Sequence, residues 1–367
     1  ALAALTPEAE QVLAVDSLPY AAQAFFERTH QTPPPLLQQL RNIDAALSKF
    51  TPFSHRNLAR TLGRKLRASS KARVALHATV TELIPAATSD SIETVVVSTP
   101  QGQTHRIHAE YVIVAAGTIE TVRLLLASRS VTSGGLGNQY DQVGRNFHDH
   151  LTITAAILRG PARAQLLAAA RPWIFGRTLH SLKLCASAEL RQQLGLVPVL
   201  AHLTIDEPAT SGIGAMRSFL RAHQQSNLSA TVGSIPPQLP RALADAARLT
   251  LSARTQHRRY VSPQAEVQLR LNAAQHTPTA SRITLSPDLQ PIIDWRIDTA
   301  EIATMRAFAQ YLRTYLNIDG LDWNPSLLSS DPAASIPALD DARHAMGGAC
   351  MGTDPRTSVV DADLRVH

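Results

Sequence analysis

Only two cysteines, Cys185 and Cys350, occur among the 367 residues. Two thiols cannot build a disulfide framework, and their wide separation excludes the paired spacing of a zinc site. Lysine is almost as scarce: Lys49, Lys65, Lys71 and Lys183 are all there are, so the net charge of +6 rests on arginine. Aromatic side chains are thin at 5% of the chain. None interrupts the one basic stretch, which runs through Arg56, Arg60, Arg64, Lys65, Arg67, Lys71 and Arg73. Without rings for base stacking, that stretch is expected as a solvated helix, and nucleic acid is not expected as a partner. No apolar run approaches the ~20 residues of a membrane-spanning helix, so no transmembrane segment is expected. A dinucleotide fingerprint, G-x-G-x-x-G after a buried strand, is also missing. The clusters at Gly134–Gly137 and Gly212–Gly214 lack the third glycine, and neither follows a strand.

What is present reads as globular: 44% hydrophobic and 17% charged residues can bury a core. Tyr111-Val-Ile-Val-Ala-Ala-Gly117 is a continuous apolar run ending in glycine, the pattern of a strand buried on both faces. It turns into Thr118–Ser128, where Ile119, Val122 and Leu126 recur at helical spacing and Glu120 suits the first turn. Val74–Leu83 is expected as a strand, and Thr94–Val97 with His105–His108 as a hairpin around Gln101-Gly102. Residues 1–50 read as helices broken at Pro33-Pro34-Pro35. Past His150 the alternation changes. Leu151–Ala155, Val267–Leu271, Arg282–Leu285 and Ile292–Ile297 read as half-buried strands of one antiparallel sheet, with alanine-rich helices through about residue 250. Asp298 and Glu301 form a capping-box pair opening a helix that carries Ile302, Met305, Ala309, Leu312 and Leu316 on one face.

The C-terminal stretch carries the densest signal: His344-Ala-Met-Gly-Gly-Ala-Cys-Met-Gly352, then Val359-Val-Asp361, then Leu364-Arg-Val-His367. A single histidine precedes glycine-rich corners, where backbone can come close to something flat or bulky. His148 and His150 sit two apart, yet no further ligand completes a metal site, so none is expected.

Taken in order, these segments resemble the glucose–methanol–choline family of FAD-dependent oxidoreductases. The resemblance rests on Ala115-Ala-Gly117 with its Arg-Leu-Leu helix, Leu136-Gly-Asn138, the block Asp141-Gln-Val-Gly-Arg-Asn-Phe-His-Asp-His150, Leu76–Leu83, and the His344 segment. It departs from the family at Thr121-Val122, where many members have Ser-Pro, and residues 151–260 match poorly. The resemblance implies an α/β (α+β) chain: an incomplete FAD-binding doubly wound domain with an inserted antiparallel-sheet substrate domain. The expected division is residues 1–150 for the FAD-binding part (1–50 as cap or lid), 151–340 for the substrate domain, and 341–367 for the return to the FAD side. With the fingerprint and the family's final segment missing, the pattern implies a piece cut at both ends and inactive alone.

The resemblance further implies FAD as cofactor, with Val80, Ala116 and Gly117 against it, and His344 as the base. The implied reaction oxidises the CH–OH group of a small alcohol or sugar, passing hydride to flavin N5 and electrons on to an acceptor the sequence does not name. Histidine suits the base because its ordinary pKa lies near neutrality. Two rival readings stand beside it, since fold does not fix reaction: a lyase on the same scaffold, and a non-catalytic remnant.

Overall fold

The computed structural model describes residues 2–87, 91–225, 239–277, 280–316, 318–329, 331 and 339–367. Part of the expected helical region before residue 250, residues 226–238, therefore lies outside the described residues. The chain mixes helices with antiparallel sheets and divides into two compact units.

The larger unit comprises residues 1–64, 152–273 and 302–339. Its sheet runs in the order Ile43–Phe50, Thr178–Ala186, Val199–Asp206, Glu266–Ala273, Leu151–Leu158, Leu321–Trp323, and Trp173–Phe175 pairs onto Thr178–Ala186. Side chains alternate across a strand, so each strand offers one row to either face. Val267, Leu269, Leu271 and Ala273 are buried, whereas Gln268, Arg270 and Asn272 between them are half-buried. The helix Thr299–Tyr315 supplies a matching apolar stripe: Met305, Phe308, Ala309 and Leu312 are wholly buried, at the three- and four-residue spacing of one helical face.

The first 64 residues belong to this unit and not with residues 65–151, because Ile43–Phe50 is a strand paired antiparallel along its whole length with Thr178–Ala186. The sequence pattern predicts helix here. Its alternation (Ala45 and Leu47 against Asp44 and Ser48) is short, and the partner strand lies over 120 residues away in sequence. Before it, helices Thr6–Leu13 and Ala22–Thr29 contribute Glu10 and Phe25 to the interior. Phe25 and Phe26 meet the Trp173 ring edge-on, and the Arg258 guanidinium lies 3.7 Å over that same ring. Lys49 pairs with Glu10 inside the unit, and Asp16 holds the buried His180 ring at 2.9 Å. Burial pushes the His180 pKa down despite that carboxylate.

The smaller unit comprises residues 65–151, 274–301 and 340–367. Strands Thr79–Pro85, Ile92–Ser98 and Thr104–Ile107 form an antiparallel three-stranded sheet, so the expected strand begins at Thr79 and not at Val74. The helix Thr118–Ala127 joins two cores. Leu124 packs with Leu83, Val95 and Val97 of the sheet. Val122, Leu125 and Leu126 pack with Val143, Phe147, Ile283, Val359 and Val360. Burying each such side chain contributes roughly 1.5–3 kcal/mol, which ties five separate chain segments to one helix.

Two expectations are corrected here. Arg282–Leu285 and Pro291–Asp294 form a separate hairpin that packs Ile283 on the helix Thr118–Ala127, so they are not strands of the large sheet. Tyr111–Gly117 is not a strand among the described residues. Its Val112 and Val114 rest on the core around Leu83, but Tyr111 and Ile113 are 80% and 89% exposed. A run that apolar becomes a doubly buried strand only where neighbours pair its backbone and cover both faces. No described strand does so. Among the described residues no helix is long and apolar enough to cross a membrane.

Candidate active site

The smaller unit contains every residue the sequence marked for a site: Val80, Ala116, Gly117 and His344. They reach it by different routes. Val80 sits in the strand Thr79–Pro85 opposite Val97, half-buried beside the core around Leu83. Ala116 and Gly117 are exposed at the corner before the helix Thr118–Ala127. Gly117 adopts φ +78°, a left-handed conformation in which glycine is unstrained, and no side chain caps the helix N-terminus. The uncapped end leaves backbone N–H groups and the positive end of the helix dipole facing outward, a setting suited to an anionic group.

His344 is held by its backbone. Residues 342–348 run antiparallel to residues 144–150: His148 and Met346 exchange two backbone hydrogen bonds at 3.1 and 2.9 Å, and the amide of Ala342 donates to the carbonyl of His150. At the far end, the amide of Gly144 donates to the carbonyl of Gly348. Between these lies Asp149, only 3% exposed. Its carboxylate accepts the amide of His344 at 2.9 Å with one oxygen and the amide of His150 at 2.6 Å with the other. Hydrogen bonds to a charged acceptor are about twice as strong as neutral ones, so one buried carboxylate pins both histidines. Their rings meet edge to face with centroids 6.0 Å apart, the His150 ring half-buried and the His344 ring exposed.

A second tie links this segment to the Gly117 corner. The hydroxyl of Thr118, the residue after Gly117, donates to the carbonyl of Ala345, the residue after His344, at 2.7 Å. Two positions separated by more than 220 residues in sequence are thereby neighbours. A further layer supports Asp149: the Gln275 side-chain oxygen accepts the indole N–H of Trp295 at 2.8 Å and lies 3.4 Å from the Asp149 amide.

The glycine corners after His344 make close approaches to protein. A Cβ on Gly347 would strike the carbonyl of Asn146, and one on Gly348 would strike the Val122 side chain, both at positive φ. A Cβ on Gly352 would crowd Ser358. These glycines let the His344 segment lie against its own unit, so the close approach is to protein.

Two nearby histidines have local partners. His148 Nδ1 is 2.7 Å from the Asn146 carbonyl, and His367 Nε2 is 2.9 Å from the Ser358 hydroxyl. Cys350 takes a contact from the Asn146 amide at 3.4 Å. No group of three metal-ligating side chains occurs among the described residues. Asp149 and Thr118 were passed over in the sequence reading. The signal for Asp149 was available: it is a lone carboxylate between two histidines.

Two family models described as GMC oxidoreductase match, the N-terminal one over residues 57–152 and the C-terminal one over residues 277–367, together about half of the chain. No curated protein matches in sequence. Among solved structures, a formate oxidase is 15% identical, with 82% of this chain and 55% of that chain covered and a TM-score of 0.46. An Aspergillus oryzae formate oxidase variant, studied for FAD modification, is 18% identical over 79% of this chain and 53% of its own, with a TM-score of 0.43. The chain thus spans about half the length of the solved structures it matches.

Proposed function

The chain belongs to the GMC oxidoreductase family, and we propose that its smaller unit is part of an FAD-dependent enzyme oxidising the CH–OH group of a small alcohol or sugar, with His344 as the base. The observation that carries this reading is the double restraint of the His344 segment, by Asp149 on one side and Thr118 on the other, with the imidazole itself exposed. A base that must meet a substrate proton needs a fixed backbone and an accessible ring.

Val80, Ala116 and Gly117 are the residues proposed to lie against FAD. The exposed Ala116–Gly117 corner and the uncapped helix N-terminus after it suit a group with negative charge, as the FAD pyrophosphate is. When bound, FAD would supply the two-electron acceptor of the oxidation. The task left to the protein is to take the hydroxyl proton of the substrate on a ring nitrogen of His344. Asp149, by fixing the His344 amide, sets where that ring can reach. The pairing of the two histidine rings restricts the His344 side chain further.

Stopped-flow flavin reduction at saturating alcohol, in the FAD-loaded enzyme of which this unit is part, is the direct test, because it isolates the oxidation from binding and reoxidation. His344→Ala is expected to leave FAD bound and slow reduction ~10²-fold or more, the usual scale for a lost general base. Reduction at the wild-type rate would remove His344 from the reaction.

A further inference from the structure

The polar face of the large sheet carries a row of nitrogen-bearing side chains that form no ion pair with any described residue. In register, Lys183 lies opposite His202, and His202 lies opposite Arg270, on three adjacent strands. Paired residues on neighbouring strands project to the same face, and strands lie ~4.8 Å apart. The row therefore places an ammonium, an imidazole and a guanidinium side by side across ~10 Å. None of the three makes an ion pair or hydrogen bond with another described residue. His202 Nδ1 and Arg270 Nε are both shut off from solvent and have no hydrogen-bond partner, as is the Asn272 side-chain oxygen one row along the same face. Buried polar atoms are normally paired, and three orphaned ones in adjacent rows form a set that the described residues leave unsatisfied.

The carboxylates on this face lie elsewhere. Asp44 is one row away, opposite Cys185. Asp206 and Glu266 are two rows away, opposite each other, where Asp206 faces Arg217 and Glu266 accepts from Gln268. Two lasting cations flanking a histidine, with donors fixed by strand geometry and no carboxylate paired to them among the described residues, is an arrangement that costs stability in the free protein and suits an anion.

We propose that Lys183, His202 and Arg270 form a binding site for the oxyanion group of a small molecule, a carboxylate or a phosphate. The site stands on the large sheet alone and does not rest on the flavoenzyme reading. Burial and the two neighbouring cations push His202 down to about 3, so its ring is neutral and offers one N–H and one lone pair at neutral pH. Burial lowers Lys183 to about 8, which leaves it largely charged there. Arg270 is the strongest candidate for a bidentate contact, because its planar guanidinium matches either anion.

The test is an NMR titration of the histidine-labelled protein with sodium phosphate and, separately, with glycolate, at constant ionic strength maintained by chloride. The expected result is a saturable shift of the His202 ring with one or both anions, at millimolar concentration or below, while His105 and His55 stay still. Saturation by phosphate alone assigns a phosphate group, by glycolate alone a carboxylate, and by both a general oxyanion site. Lys183→Gln and Arg270→Gln should each weaken binding ~10-fold or more, and Lys71→Gln should not change it. The wild-type titration needs no variant, so a poorly folding substitution leaves the test intact. A linear, unsaturable response of His202 to both anions, or unchanged affinity in folded Lys183→Gln and Arg270→Gln proteins, overturns the proposal.

Discussion

Removing the Asp149 carboxylate should loosen the His344 segment before it touches anything else. Asp149→Ala takes away two charge-assisted hydrogen bonds at once, to the amides of His344 and His150, and leaves both donors beside a newly made cavity. Each such bond is worth ~1.5–3 kcal/mol. Partial access of water to the emptied space offsets some of this, so a net loss of about 3 kcal/mol is expected. Asp149→Asn keeps the volume and one acceptor oxygen but turns an NH₂ toward the other amide, so about 2 kcal/mol is expected. Urea unfolding followed by a probe in the smaller unit measures both values. Hydrogen exchange should show amide protection falling first at residues 342–348 and 148–150, because these are paired across the same seam. In the FAD-loaded enzyme of which this unit is part, both variants should lower the rate of flavin reduction, with binding of substrate less affected. A different result would refute the reasoning: Asp149→Ala within 0.5 kcal/mol of wild type, with protection at His344 unchanged, would mean the carboxylate is not what holds the histidine.

Other perturbations test neighbouring parts of the argument. Gly347→Ala combines a positive φ with a clash against the Asn146 carbonyl, so thermal unfolding should show a loss of about 2–4 kcal/mol, and a neutral outcome would show that the segment can shift away from residues 144–148. Acid should act through His202, whose folded pKa of about 3 lies below its ordinary value of 6.5. Above pH 6.5 neither state is protonated there, whereas between 6.5 and 3 the unfolded chain binds a proton that the folded chain refuses, so stability falls with pH. His202→Gln should therefore gain about 2–3 kcal/mol on wild type between pH 7 and pH 4, read from urea midpoints at each pH, allowing for residual solvent around the ring. Parallel pH profiles of the two proteins would show that His202 is not buried away from its charged form.

Local chemistry decided a good part of this protein from the sequence. The helix Thr118–Ala127, the hairpin strands around Gln101-Gly102, the buried face of Thr299–Tyr315 and the alternating strand at Val267–Leu271 were all legible, because each depends on the spacing of apolar residues within one segment. The Asp298–Glu301 box held in part. Glu301 accepts the Asp298 amide at 2.9 Å, but Asp298 turns its carboxylate to Thr299 and not to the amide of Glu301. The histidine segment was recognisable too, since its residue types and order are unusual in themselves.

Tertiary structure decided what the segments lie against. Ile43–Phe50 is a strand only because Thr178–Ala186 offers it a full-length edge. Tyr111–Gly117, for all its apolar composition, is not one, because no described strand pairs with it. Apolar pattern reports a tendency to be buried, while backbone pairing depends on partners that sequence distance conceals. The same holds at the candidate sites. A carboxylate two hundred residues away fixes His344, and Lys183, His202 and Arg270 each look like an ordinary polar residue on an ordinary strand until the register sets them in one row.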